Sequence, residues 1–413
     1  MSKIRRERKT DGQKRIIAIN TLLTGSTGGI MRNICNSAEE NGFVCWTATS
    51  YRRKRLVTFK PRHNDILIGN AVSLYSHSFL GRITGLKGMF SVFSTLFFVC
   101  KMKKIRPDII HLHNLHDSYI NLPILFAYIK KNNIKVIWTL HDCWAFTGRC
   151  PYFELTKCYK WKTGCHDCEY PSKAYPKSYV DATNLMWRKK KKWFTGVKNM
   201  TIVTPSKWLA SLVNQSFLCN YNVKVIHNGI DLDVFRPIKS DFRKKYNIEN
   251  KKIVLGVAAG WEKRKGIDIM IRLAQDLKYN YQVILVGTND AIDLSLPPNI
   301  ISIHQTENQE QLAQIYTEAD VLVNPTREDN FPTVNLEALA CGTPIVTFNT
   351  GGSPESVSDN TGSVVEIDNY DQLFNEVIRV SNSEVINKED CRLSAMAFSK
   401  EKMFENYIKL FGD

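Results

Sequence analysis

The stretch TREDNFPTVNLEALACGTP, residues 326–344, decides the fold. Ahead of it, DVLVNP (320–325) is a short apolar run that reads as a buried strand ending at Pro325. REDNF is then a loop, and Pro332 suits the first position of a helix running TVNLEALAC. Gly342 stops that helix and Pro344 opens the next strand. A strand, a loop, a helix and another strand in such short succession form the unit of a parallel sheet covered by helices. Such sheets bind ligands at the carboxyl ends of their strands, which makes the loop carrying Glu328, Asp329 and Asn330 a candidate site. The backbone at 332–335 is expected to face the same cleft and suits a phosphate. Glu337, one turn into the helix, either joins that site or steadies the helix dipole.

The same alternation extends in both directions. RIIAIN (15–20), FVCWTAT (43–49), DIIHLH (108–113), KVIWTL (135–140) and MTIVTP (200–205) are buried-strand candidates in the first half. KIVLGVAA (252–259), YQVILVG (281–287), NIISIH (299–304), PIVTFN (344–349) and SVVEI (363–367) continue the series in the second. The turn at Asn228-Gly229 and the break at Pro237 place a boundary near 230–240. A chain of 413 residues is also too long for one ordinary core. The expected architecture is α/β, two Rossmann-like doubly wound domains facing across a cleft. Residues 1–230 form the first domain, with a Cys-rich insertion at 143–172, and 231–390 the second. A terminal helix within 391–413 is expected to pack back toward the first domain.

The formal net charge is +16 and unevenly spread. Residues 1–225 hold 37 Lys and Arg against 12 Asp and Glu, whereas 226–413 hold 19 against 28. The first half therefore suits an anionic partner, either nucleic acid or an anionic membrane leaflet, unless the charge is simply a solvated surface. WRKKKKWF (187–194), four lysines between tryptophans, fits a lipid surface, a nucleic acid or a solvated helix face. GLKGMFSVFSTLFFVC (85–100) is apolar but too short to span a bilayer and reads as a buried or interfacial helix followed by the basic KMKKIR. The charged start, MSKIRRERKTDGQKR, leads straight into a strand and does not read as a signal peptide.

Several clusters carry possible chemistry. Gly28-Gly29 closes the first strand-to-helix loop, where paired glycines let backbone approach a diphosphate or merely allow a tight turn. IIHLHNLHD (109–117) sets His111 and His113 on one strand face at a carboxyl end, as hydrogen-bonding groups or as buried, satisfied histidines. GWEKRKGID (260–268) places Arg264 and Lys265 before a helix N-terminus, suited to a diphosphate or to plain surface charge. Cys150, Cys158, Cys165 and Cys168 end in a C-x2-C pair, the pattern of a structural zinc knuckle; a redox pair or reduced thiols are the alternatives.

The glycine loop, the His-x-His strand end, RKG and the DNFP…LEALACGTP stretch together resemble family 4 retaining glycosyltransferases of the GT-B fold. WTLHDCWAFTGRC (138–150) is similar to bacterial colanic acid and O-antigen type exopolysaccharide enzymes. The resemblance implies that Asp329 and Glu337 are the two acids of the E-x7-E motif, the first on the transferred sugar and the second on the nucleotide ribose. It implies that Arg264 and Lys265 hold the donor diphosphate, that His113 lies near the reacting sugar, and that Gly28 and Gly29 approach the diphosphate and acceptor. Asn330, Phe331, Pro332 and Thr333 complete the donor-binding stretch on the same grounds. This chain departs from the family in using Asp at the first acid, with Glu328 beside it, and in having Trp261 where an arginine is usual. The implied reaction is transfer of a hexosyl group from a nucleotide-diphospho-sugar to a lipid-linked saccharide, with retention, in surface polysaccharide synthesis. The implied mechanism needs no catalytic metal in the cleft, consistent with the lack of an Asp-x-Asp at a plausible strand end, and any zinc would be structural. The implied location is cytoplasmic, peripheral on the inner face of the membrane. A nucleotide-sugar epimerase on the same fold and a basic nucleic-acid-binding protein are the rival functions; the second leaves the acids and RKG without purpose.

Overall fold

The computed structural model describes residues 12–51, 62–169 and 176–413. The start of the chain and the last residues of the 143–172 insertion lie outside the described residues. The first sheet contains β1 (Arg15–Asn20), β2 (Val44–Ser50), β3 (Asp65–Ile68), β4 (Ile109–Leu112), β5 (Lys135–Thr139), β6 (Met200–Thr204) and β7 (Asn222–Val225). The second contains β8 (Lys252–Val257), β9 (Tyr281–Val286), β10 (Ile300–Ile303), β11 (Val321–Asn324), β12 (Ile345–Phe348) and β13 (Gly362–Val365). All pairings within the sheets are parallel. The central strands are apolar along their length because helices cover both faces of such a sheet. In β1, five of six residues are buried.

The strand orders are β3-β2-β1-β4-β5-β6-β7 and β10-β9-β8-β11-β12-β13. Both reverse direction beside their first strand, between β1 and β4 and between β8 and β11, and a doubly wound sheet opens its ligand crevice at that reversal. β3 and β7 are absent from the sequence reading: both are edge strands of four residues, β3 with Leu67 exposed and β7 mostly exposed.

The chain passes between the domains twice, and the two passages touch. Ile230 N–H donates to Phe398 O at 2.8 Å and Lys400 N–H to Ile230 O at 2.9 Å. Gly229 is needed here because a Cβ would stand 2.6 Å from Lys400 Cα. The last helix, Lys400–Gly412, then lies on the first domain. Its Met403, Tyr407, Leu410 and Phe411 join a core with Ile16, Ala18 and Met31, and Tyr407 OH lies 3.0 Å from Thr139 Oγ1.

Two local readings are corrected. The first helix runs Ser26–Glu40, so Gly28 and Gly29 lie in its first turn rather than in the loop before it. The left-handed residue that turns the chain is Gly25, at φ 83°. Gly28 is required by packing, since its Cβ would sit 2.7 Å from the Leu23 carbonyl carbon, while Gly29 faces open space. The WRKKKKWF tryptophans do not face outward either. Trp187 is buried, with Nε1–H donating to Trp161 O at 2.8 Å, and Trp193 is half-buried. Lys190 is wholly buried, its ammonium 2.7 Å from Trp144 O and over the Trp144 ring.

Candidate active site

The two sheet reversals bring the sequence-derived candidates to one interdomain cleft. After β8 a short turn, Lys263–Lys265, ends at Gly266 in a left-handed conformation, φ 78°. A Cβ at Gly266 would lie 2.3 Å from Pro325 O, so only glycine lets this turn rest on the end of β11. That contact sets Lys265 Nζ 2.6 Å from Asp329 Oδ2, both side chains being about four-fifths buried. Arg264 donates through Nη1 to Glu328 O at 3.1 Å, and its guanidinium lies 5.1 Å from the Tyr152 ring of the first domain.

The two neighbouring acids diverge. Asp329 turns toward Lys265, whereas Glu328 crosses to the first domain and accepts the Leu155 N–H at 2.6 Å. Burial pushes the Glu328 carboxyl up, with the Leu155 bond and Arg264 opposing. Arg327 anchors the loop from below, paired with Asp268 at 2.8 Å and Asp368 at 2.7 Å. The loop's backbone is held by a second glycine pair, missed in the sequence: Gly351, at φ 55°, and Gly352 pack on the carbonyls of Asp329 and Asn330. The available signal was Thr350-Gly351-Gly352 directly after the strand PIVTFN.

The helix opens at Thr333, not Pro332. Pro332 is its N-cap and supplies no N–H, so the first donors of the helix are those of Thr333 and Val334. Phe331 is buried and packs 4.9 Å from His227, centroid to centroid. Glu337 accepts from Tyr316 OH at 2.9 Å. Burial raises its carboxyl above the ordinary range, and hydrogen bonds from Tyr316 and Thr333 offset part of that rise.

Facing this loop, His113 closes β4. Its Nδ1 lies 2.9 Å from His141 Nε2, and its other nitrogen is buried without a partner. Burial holds His113 well below the usual imidazole range and His141 down to about 4, so both rings are neutral at pH 7. Asn330 Nδ2 reaches across to His141 O, which joins the acid loop of one domain to the histidine strand end of the other. Beside them, His116 Nε2 meets Asp142 Oδ2 at 3.0 Å. Burial alone would neutralise both, but their mutual attraction raises His116 and lowers Asp142. His141 and Asp142 were not singled out in the sequence; their signal was a polar pair directly after the strand KVIWTL. His111 instead bonds Thr139 Oγ1 at 2.9 Å and sits in the core.

The Cys-rich segment packs on the first domain through Phe146, Phe153 and Trp161. Cys165 Sγ accepts the Gly148 N–H at 3.1 Å. Burial pushes the Cys150 and Cys165 thiols up, to about 12 and about 11. Among the described residues no three or more His, Cys, Asp or Glu side chains are grouped to hold a metal ion.

Comparison with known proteins assigns the fold and its chemistry. Residues 84–234 match the family model described as Glycosyltransferase Family 4, and residues 238–399 that of Glycosyl transferases group 1. The chain belongs to the family 4 glycosyltransferases. This glycosyltransferase is 25% identical to the putative colanic acid biosynthesis glycosyl transferase WcaC of Escherichia coli K12, over 74% of its own length and 76% of that protein's. It is also 25% identical to an uncharacterized 41.2 kDa protein in the cps region of Klebsiella pneumoniae, over 78% and 84% of the two lengths. Among solved structures, sucrose-phosphate synthase from Thermosynechococcus elongatus superposes with a TM-score of 0.69 at 16% identity, covering 97% of this chain and 98% of that one. Anabaena HepE in complex with UDP gives 0.66 at 14%, covering 97% and 100%. These structural likenesses carry the GT-B fold.

Proposed function

We propose that this glycosyltransferase moves a hexosyl group from a nucleotide-diphospho-sugar to a lipid-linked saccharide in bacterial surface polysaccharide synthesis, with retention of configuration. The observation that carries the reading is the meeting of the Lys265–Asp329 pair, from the β8 and β11 ends, with His113 at the β4 end, tied together through Asn330 and His141. WcaC's name, and the UDP held by HepE, support a nucleotide-sugar donor and a polysaccharide role.

Each residue has a task in this reading. Lys265, Arg264 and the helix donors at Thr333 and Val334 neutralise the departing diphosphate, the electrostatic effect that dominates such catalysis. Asp329 accepts from hydroxyls of the transferred sugar and Glu337 from the ribose. Neutral His113 offers its unpartnered nitrogen to the sugar. The acceptor hydroxyl oxygen bonds to the anomeric carbon as the bond to the diphosphate breaks, and its proton goes to the leaving diphosphate oxygen. Gly29, where a Cβ would meet open space, leaves room for the acceptor in this reading. The acceptor's lipid places the basic first domain at the inner face of the membrane.

The test is a panel of UDP-, GDP- and ADP-sugars titrated into the purified protein. Saturable binding of one donor, lost in Glu337→Ala with the fold intact, is the expected result. Absence of binding to every donor overturns the transferase reading.

A further inference from the structure

Two consecutive helices of the first domain, Ala71–Thr84 and Val92–Ile105, turn apolar side chains to solvent. On the first, Val72, Tyr75, Phe79 and Ile83 recur every three or four residues, which is one helix face. That face is the exposed one, while His77 and Gly81 point inward. On the second, Phe93 and Phe97 stand one turn apart at 78% and 72% exposure. The two helices meet near their starts, where Ser73 Oγ lies 3.1 Å from Ser91 Oγ and 2.8 Å from Ser94 Oγ. Exposed apolar side chains clustered on two neighbouring helices in this way mark a surface that something covers.

Charge identifies what covers it. From residue 66 to residue 107 the chain has no Asp or Glu, yet it carries Arg82, Lys87, Lys101, Lys103, Lys104 and Arg106. Lys101, Lys103 and Lys104 are exposed at the end of the second helix. A second copy of the chain would meet this face through the same face, setting cations against cations. Among the described residues no helix is long and apolar enough to cross a membrane, so the patch suits a surface. We propose that this helix pair docks the first domain on an anionic lipid bilayer, with Tyr75, Phe79, Phe93 and Phe97 entering the headgroup boundary and the three lysines facing lipid phosphates. The proposal deepens the lipid-linked acceptor reading and rests on it for its purpose, though not for its evidence.

The experiment is co-sedimentation of the full chain with vesicles of phosphatidylcholine alone or mixed with phosphatidylglycerol. Light scattering and donor titration are run on the same samples. Binding that requires phosphatidylglycerol is expected. Phe93→Ser with Phe97→Ser should weaken it about a hundredfold, since each lost phenyl costs about one decade. Replacing Lys101, Lys103 and Lys104 by Ser should remove the phosphatidylglycerol dependence. Unchanged melting temperature and donor binding in these surface variants separate loss of docking from loss of fold. No vesicle binding by the wild type, or full binding by the Phe variant, overturns the surface. A dimer that the Phe variant dissolves, with no vesicle binding, overturns it in favour of a second copy. Vesicle binding without any donor binding keeps the surface and overturns the transferase reading instead.

Discussion

Asp329→Asn and Glu328→Gln test whether adjacent acids have the separate tasks their geometry gives them. Glu328 accepts one backbone N–H, from Leu155 across the cleft, at 2.6 Å. The Gln amide oxygen can keep that bond, and only its charge assistance is lost, about 1 kcal/mol. The effect on turnover should therefore stay within about fivefold, read as a slightly less favourable domain closure. Asp329 is different, because its carboxylate both holds Lys265 at 2.6 Å and, in the proposed reading, grips sugar hydroxyls. Two charge-assisted hydrogen bonds lost in the transition state amount to about 3 kcal/mol or more, roughly a hundredfold in kcat/KM. Freed from Asp329, Lys265 should still bind diphosphate. Asp329→Asn is thus expected to bind the nucleoside diphosphate as well as the wild type does and to lose the added affinity for the sugar. Calorimetry with the diphosphate and with the intact donor, alongside initial rates, measures each part. If Glu328→Gln slows turnover as much as Asp329→Asn, the assignment is wrong.

Glu337→Gln should weaken donor binding by about tenfold or more through lost ribose contacts, without lowering the melting temperature. Burial already raises its carboxyl in the folded state, so a neutral side chain removes a cost; a clear drop in melting temperature would contradict this. Gly229→Val should cost about 1–3 kcal/mol, measured by denaturant unfolding, because its Cβ meets the Lys400 backbone where the two passages pair; an unchanged midpoint would refute that contact. Acid should destabilise the fold through its neutral histidines: burial lowers His77 to about 4 and His111 to about 3, and His77 Nε2 accepts the Gly88 N–H at 3.1 Å. With folded values below the unfolded one, the stability they contribute is complete above about pH 6.5 and is lost as pH falls toward 4. By pH 5 it has fallen by about 2 kcal/mol for each. Unfolding midpoints at pH 7 and pH 5 measure the loss, which should shrink in His77→Gln; equal midpoints in the wild type would refute it.

Much of the fold was legible because its strongest signals are local. A strand buried on both faces must be apolar throughout, so β1, β5, β8, β9 and β12 stand out of the sequence as unbroken runs. The parallel order then follows from the interleaved helices, and the reversal points beside β1 and β8 follow from that order. Lys265 and Asp329 were legible for the same reason, each lying just past the end of a recognisable strand. Gly28 and Gly29 were misplaced because a glycine pair at a helix start looks the same whether it turns the chain or admits a close neighbour. Only the Leu22–Leu23 backbone beside Gly28 distinguishes the two. The Trp187 and Lys190 pattern misled for a related reason. A basic helix with aromatics predicts a wet face, but the aromatics here bury against the Cys-rich segment and take one lysine with them.

What joins the domains left almost no trace in the sequence, and the reason lies in which atoms are used. Glu328 bonds the N–H of Leu155, Asn330 bonds the carbonyl of His141, and Glu355 accepts the N–H groups of Lys207 and Trp208 at 2.9 and 2.8 Å. In these three contacts the second domain supplies a side chain and the first domain supplies backbone, although Glu355 also meets the His227 side chain at 3.3 Å. Any residue presents the same backbone groups, so the receiving positions carry no composition or spacing to read. The arrangement accounts for part of the charge asymmetry. Acids that clasp N–H groups must stand on the second domain, and the cationic first domain offers those groups a favourable field. It also constrains the loop 326–332. The residues that bond across the cleft, Glu328 and Asn330, flank Asp329, to which the proposed function gives the sugar, so each new position of the loop changes Asp329 and the interdomain contact together. On the proposed function, donor binding at Asp329 is therefore coupled to closure through the backbone between its two neighbours.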